Sequence, residues 1–65
     1  MKVKYTINNY ILGARLRMVE QYGLISKTRI DPRHTEVVFE LPDDKNGTTK
    51  MEFINKVLTY KGRII

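Results

Sequence analysis

The residue types that carry out catalysis are scarce in this chain of 65 residues. It has one histidine, His34, one serine, Ser26, and no cysteine. A nucleophile, a base and a group that orients the base cannot be assembled from so few side chains. Glu36 and Glu40 share one face of a predicted strand, but that spacing spans about 13 Å. Paired carboxylates divide acid and base roles at shorter separations. We therefore expect no enzymatic activity.

Metal and cofactor binding are not indicated either. Without cysteine there is no thiolate zinc site and no disulfide framework. The segment DDKNG, residues 43–47, is similar to the start of an EF-hand calcium loop, but neither possible register places a glycine at the sixth position. No glycine-rich phosphate-binding motif is present in the sequence. We expect no metal and no cofactor.

The excess positive charge lies in the first half of the chain. The net charge is +5. Residues 1–30 hold six basic side chains against one acidic side chain, whereas residues 31–65 hold equal numbers of each. One-sided positive charge indicates a polyanionic partner, either nucleic acid or an acidic protein surface. A basic surface that only maintains solubility is the alternative.

A membrane partner is not expected, and the chain is predicted to be cytoplasmic. No apolar run approaches the length of about 20 residues that spans a bilayer. The second predicted helix has only Lys56 on its polar face, whereas an interfacial helix carries more basic residues.

The hydrophobic pattern predicts one α+β domain, residues 1–65, with the order β-α-β-β-α. Residues 1–6 alternate as a strand, and residues 7–22 repeat at helical spacing, with Asn8 or Asn9 as the N-cap. Gly23 then ends the helix in a left-handed conformation. The fold predicted from this order is an antiparallel three-stranded sheet packed by two helices.

A hairpin over residues 24–41 supplies the other two strands. Asp31 and Pro32 favour a type I turn, which places Arg29 opposite Glu36. In this register Ser26 points to the core, although a longer loop is an alternative because two-residue hairpins prefer primed turns.

The second helix is predicted from Thr49 to about Tyr60, with a capping box of Thr49 and Glu52 and a stop at Gly62.

The first predicted helix has an unusually broad apolar surface. Such a helix packs on two sides or forms a protein contact, so we expect a homodimer through this helix as one way to cover it. Its narrow polar face holds Asn9, Gly13, Arg17 and Glu20. Gly13 either admits the close approach of a backbone or phosphate, or is a tolerated weak position. Tyr10 is a further candidate for stacking on a base, with a place in the core or an interface as the alternative.

Residues 16–41 resemble the end of the recognition helix and the wing of winged-helix regulators, most of all the MarR family. That family shows a helix ending in Leu-x-x-x-Gly-Leu-Ile/Val, a basic strand, an Asp-Pro-x-Asp-Arg turn and a return strand. The matching residues here are Val19, Gly23, Leu24, Ile25, Lys27, Arg29, Asp31, Pro32, Arg33, Val37, Phe39 and Leu41. The resemblance implies that Asn9, Gly13 and Arg17 face the major groove, and that Lys27, Arg29 and Arg33 hold phosphates.

Two functions follow as expectations from the charge and the resemblance. The first is a small basic protein that binds nucleic acid, DNA favoured, through one positively charged face. The second is a small interaction protein of viral or mobile-element type, which binds an acidic surface of a larger host protein and inhibits or modulates it.

Overall fold

The fold is a four-stranded antiparallel sheet covered on one face by two helices. The computed structural model describes residues 1–65, apart from the side chains of Ile11 and Leu12. The elements in chain order are β1 (Lys2–Asn8), α1 (Asn9–Val19), a 3-10 turn (Glu20–Tyr22), β2 (Leu24–Arg29), β3 (His34–Glu40), α2 (Lys45–Leu58) and β4 (Arg63–Ile64). The predicted α+β class is confirmed.

The sheet has one more strand than the sequence predicts. Its strand order is β2-β3-β1-β4, and every neighbouring pair is antiparallel. This order of strands and helices is the split β-α-β topology. The prediction of three strands is wrong because β4 has only two residues, Arg63 and Ile64, which pair with Lys4 and Val3. Two residues are too few to show an alternating pattern.

The first strand is longer, and the first helix shorter, than predicted. The alternation of Val3 and Tyr5 continues to Ile7, and all three side chains are buried. Ile7 therefore belongs to β1, where it pairs with Thr35. Asn8 occupies the N-cap position of α1, but its side chain does not cap the helix. Its Nδ2 donates to the Tyr60 hydroxyl at 3.0 Å.

Gly23 ends the helical segment, as predicted from the sequence. Its φ is 125°, a conformation that favours glycine. A side chain at this position would collide with the carbonyl of Glu40. The Gly23 carbonyl accepts the Glu40 amide at 2.8 Å, so the glycine joins the 3-10 turn to the sheet.

The core lies between the sheet and the two helices. Among the side chains that the structure describes, ten hydrophobic ones are buried there: Val3, Tyr5, Ile7, Leu16, Val19, Val37, Phe39, Leu41, Ile54 and Leu58. The Tyr5 hydroxyl donates to Oδ1 of Asn55 at 2.5 Å, and the Gly62 amide donates to the same oxygen at 3.1 Å. Burial raises the pKa of Tyr5 to about 12. Tyr5 and Asn55 thus connect β1, α2 and the segment that leads into β4.

The broad apolar surface predicted for the first helix is only partly buried. Leu16 and Val19 enter the core, whereas Ala14 and Met18 are exposed. Tyr10 is 85% exposed, so it is not a core residue. Ile11 and Leu12 also belong to the apolar surface that the sequence predicts, but their side chains lie outside the described residues.

The second helix begins earlier than the predicted capping box. Asp44 is the N-cap, and its carboxylate accepts the amides of Asn46 at 2.9 Å and Gly47 at 3.4 Å. Thr49 lies inside the helix, where its hydroxyl donates to the Lys45 carbonyl at 2.9 Å, so the predicted capping box is wrong.

This helix also ends earlier than the predicted stop at Gly62. Thr59 is its C-cap, with a left-handed φ of 56°.

The hairpin forms as predicted, but its register is shifted by one residue. Arg29 lies opposite Thr35, and Thr28 lies opposite Glu36. A one-residue shift exchanges the two faces of a strand, so the predicted core position of Ser26 is wrong. A β-bulge between Leu24 and Ser26 restores Leu24 to the helix side, opposite Phe39.

Candidate nucleic-acid interface

The observed register directs two basic side chains of β2 toward α1. Lys27 is paired with Val37 and Arg29 with Thr35, and both partners are buried on the helix side of the sheet. Residues directly opposite one another in an antiparallel pair point to the same face. Lys27 and Arg29 are themselves exposed because β2 is the edge strand.

Hydrogen bonds tie the β2–β3 turn to the start of α1. The Pro32 carbonyl accepts from Nη2 of Arg29 at 3.2 Å and from Nδ2 of Asn9 at 2.9 Å. The amide of Asn9 donates to the Arg33 carbonyl at 2.8 Å. Oδ1 of Asn9 accepts from the Thr35 hydroxyl at 2.6 Å. Asn9 therefore fixes the turn against the helix, which brings Arg29 and Arg33 beside the first turn of α1.

The flank of α1 that begins at Asn9 continues through Gly13 to Arg17. These residues are spaced at i, i+4 and i+8, so they lie on one side of the helix. Gly13 and Arg17 are exposed. Apart from its chain neighbours and its own helix backbone, no heavy atom of the described residues lies within 4 Å of a Cβ built on Gly13, so this position is open to close approach. The surface formed by Asn9, Gly13, Arg17, Lys27, Arg29 and Arg33 is called the α1–β2 face below.

Two acidic side chains of the hairpin lie on the opposite face of the sheet. Glu36 is 3.9 Å from Nζ of Lys4, on β1. The predicted pairing of Arg29 with Glu36 is therefore wrong. Glu40 lies on the same side as Glu36, four residues further along β3. Among the described residues, no ion pair involves the four cations of the α1–β2 face, which are Arg17, Lys27, Arg29 and Arg33.

Asp31 is the carboxylate closest in sequence to Lys27, Arg29 and Arg33, and hydrogen bonds within the turn occupy it. Its Oδ1 accepts the amides of Arg33 and His34, each at 2.7 Å. Nδ1 of His34 is 3.0 Å from both of its oxygens. The bond from the Arg33 amide is the main reason that the pKa of Asp31 is lowered. His34 is the half-buried first residue of β3.

A second basic position on α1 faces the other helix. Nη1 of Arg15 donates to the Val57 carbonyl at 3.2 Å, near the end of α2. Arg15 lines an open groove between the helices together with Tyr10, Ala14 and Thr59. Helical spacing already placed Arg17, and not Arg15, on the polar face with Asn9 and Gly13, but the bond from Arg15 to α2 could be seen only from the placement of that helix.

The arrangement offers cations for binding an anion. In the part of the chain that the structure describes, no three His, Cys, Asp or Glu residues are grouped to hold a metal ion. Among the same residues, no helix is long and apolar enough to cross a bilayer. No protein-family model, curated protein or solved structure matches this chain.

Proposed function

We propose that this protein binds nucleic acid, DNA favoured, through the α1–β2 face. The observation that carries the proposal is the register of the hairpin. It directs Lys27 and Arg29 to the side of Arg17 and leaves Glu36 on the opposite face. Positive charge on one surface, separated from acidic side chains, favours association with a polyanion.

The four cations suit contacts with the phosphate backbone. Lys27 and Arg29 are two residues apart on one strand, which separates their Cα atoms by about 7 Å. Arg17 extends the positive surface onto α1, and Arg33 extends it to the turn. Phosphate contacts of this kind release bound counterions and do not select a sequence. The open position at Gly13 allows a phosphate or sugar to approach the backbone of α1.

The resemblance to the winged-helix regulators supports the same assignment and stays a prediction. It implies that Asn9 contacts bases in the major groove, but both polar atoms of that side chain already form hydrogen bonds within the protein. One amide hydrogen on Nδ2 is left for a ligand. We therefore assign Asn9 mainly to positioning the turn, and we assign the binding energy to the cations.

The alternative function is binding to an acidic surface of a larger protein, as a viral or mobile-element inhibitor does. It is favoured by the apolar side chains that α1 exposes, with Tyr10 at 85% and Met18 at 55% exposure. Such side chains suit a protein contact, including a homodimer through α1.

Fluorescence anisotropy tests the proposal. The protein is titrated into a labelled 20-base-pair DNA duplex, the corresponding single strand and an RNA of the same sequence, at 50 and 200 mM salt. We expect tighter binding at low salt. In the triple variant Arg17→Ala, Lys27→Ala, Arg29→Ala, we expect the affinity to fall at least tenfold.

The matched control removes three lysines outside the α1–β2 face, Lys2, Lys45 and Lys56, so both variants lose the same net charge. The affinity of this control for the nucleic acid should fall less than threefold. Equal losses in the two triple variants would refute a specific face, and the absence of binding at 50 mM salt would refute the function.

A further inference from the structure

The outer edge of β2 is a six-residue strand that pairs with β3 on one side only. Every residue from Ile25 to Arg29 is exposed. An edge of this kind presents unpaired amides and carbonyls that another extended chain can use. It is distinct from β4, the opposite edge of the sheet, which has only two residues.

The hydrogen bonds of the sheet show which backbone groups face outward. The Ile30 amide donates to the His34 carbonyl at 3.2 Å, and pairing alternates along an antiparallel ladder. Thr28 and Ser26 therefore bond to β3, whereas the amides and carbonyls of Lys27 and Arg29 point to the open edge. The same two residues carry the cations of β2.

Charge decides which kind of strand this edge accepts. In a homodimer formed edge to edge, Lys27 and Arg29 of one copy would lie beside the same cations of its partner. Like charges opposite one another destabilise paired strands. An acidic strand would instead place carboxylates next to these two cations.

We propose that the outer edge of β2 binds an extended acidic segment of a partner protein as a fifth strand of the sheet. The backbone of the segment bonds to Lys27 and Arg29, and acidic side chains at alternate positions face those two cations. The residue between them lies beside Thr28 on the other face, so a β-branched residue is favoured there. Strand addition of this kind derives affinity from the main chain and specificity from alternate side chains.

This binding does not require that the protein also binds nucleic acid. If the proposed function holds, the two ligands compete, because an acidic strand neutralises Lys27 and Arg29, which phosphates would otherwise contact. The edge would then be a regulatory site for nucleic-acid binding.

The test uses a fluorescein-labelled peptide with the sequence Thr-Glu-Val-Glu-Thr-Glu-Thr and the intact protein. A control peptide has the same composition with its three glutamates adjacent, and a second control has lysines in place of the glutamates. We expect the alternating peptide to bind at least fivefold more tightly than either control. Equal affinity for the alternating and clustered peptides would overturn the proposal. Failure of all three to bind would also overturn it, and would mean that the cations only protect the edge from aggregation.

Two substitutions at one position separate main-chain pairing from charge attraction. Lys27→Ala removes the cation and keeps the outward amide, whereas Lys27→Pro removes both and breaks no bond to β3. We expect Lys27→Pro to bind the peptide about five- to tenfold more weakly than Lys27→Ala, because one amide bond is lost. Both variants should keep the circular dichroism spectrum of the parent. Nucleic-acid binding should be equal in the two, so this experiment does not depend on the proposed function.

Amide hydrogen exchange provides a readout that charge attraction alone does not change. Saturating peptide should slow exchange at Lys27 and Arg29 at least tenfold and leave Thr28, already paired with β3, unchanged. Peptide binding without slower exchange at Lys27 and Arg29 would overturn the proposal.

Discussion

Replacing Gly13 with alanine should stabilise the fold, although the glycine lies within a helix and its replacement adds an atom. Glycine in a helix interior costs about 0.5 to 1 kcal/mol relative to alanine, because the unfolded chain has more conformations to lose. At most positions a new Cβ could offset this gain by a collision. At Gly13 it meets no heavy atom of the described residues within 4 Å outside its own helix backbone and its chain neighbours, so the full gain is expected.

The expected gain of about 0.5 to 1 kcal/mol corresponds to a rise in Tm of about 2 to 8 °C for a domain of this size. Thermal unfolding followed by circular dichroism measures it, and urea unfolding checks the free energy independently. The matched control is Gly62→Ala, the same chemical change at a crowded position. There the Cβ would lie 2.5 Å from Cζ of Tyr5 and 2.6 Å from Cγ1 of Val3. We expect the free energy of unfolding of that control to be lower than that of the wild type by about 1 to 3 kcal/mol.

A lower Tm for Gly13→Ala would refute the placement of this helix flank in open solvent. A neutral Gly62→Ala would refute the close packing of that segment on Tyr5. The Gly13→Ala variant also separates stability from function. If nucleic acid approaches the helix backbone here, binding weakens while the fold becomes more stable.

Three further predictions concern polar side chains of the fold. Because the pKa of Tyr5 is raised to about 12, its contribution to stability is complete below pH 10 and lost as the pH rises through 12. The free energy of unfolding of the wild-type protein should fall by about 2 to 3 kcal/mol between these two pH values. The Tyr5→Phe variant still packs in the core but cannot ionise beside Asn55, so its free energy of unfolding should show no such fall. Asn9→Ala should destabilise the fold by about 1 to 3 kcal/mol in urea unfolding, since it leaves the Thr35 hydroxyl without its acceptor. The lowered pKa of Asp31 means that its stabilisation is present above pH 4 and lost as the pH falls through the folded value, so Asp31→Asn should flatten the acid limb of the stability profile.

Each of these three predictions has a contradicting result. Equal alkaline profiles for wild type and Tyr5→Phe would show that another group controls unfolding there. Unchanged stability in Asn9→Ala would show that the bonds between the turn and α1 contribute nothing. A wild-type acid profile that matches that of Asp31→Asn would show that the turn does not hold the carboxylate.

The hairpin shows how far the sequence could predict this fold. Turn residues and alternation located both strands, but the register depended on the length of the loop. The predicted loop had two residues, whereas pairing in the structure continues to Ile30 and His34 and leaves Asp31, Pro32 and Arg33 between the strands. One additional loop residue exchanges the faces of β2. The bulge between Leu24 and Ser26 could not be predicted, because no glycine or other bulge-forming residue marks it.

The same error affected the candidate site. Charge and the resemblance selected the basic residues as a group, but the predicted register paired Arg29 with Glu36. The observed register separates them, and the α1–β2 face is more positive than predicted. The tie between Asn9 and the turn was not predictable, since it joins residues more than 20 positions apart in the chain.

The dependence of DNA affinity on salt shows whether the cations of the α1–β2 face contact phosphates. If the cations of the α1–β2 face contact phosphates, four contacts give a slope of about −3.6 in a plot of log K against log salt for a duplex. Replacing Lys27 with alanine should reduce the size of the slope by about 0.9, and replacing Lys56, on α2, should leave it unchanged. A slope that Lys27→Ala does not alter, or that both substitutions alter equally, would contradict binding through this face.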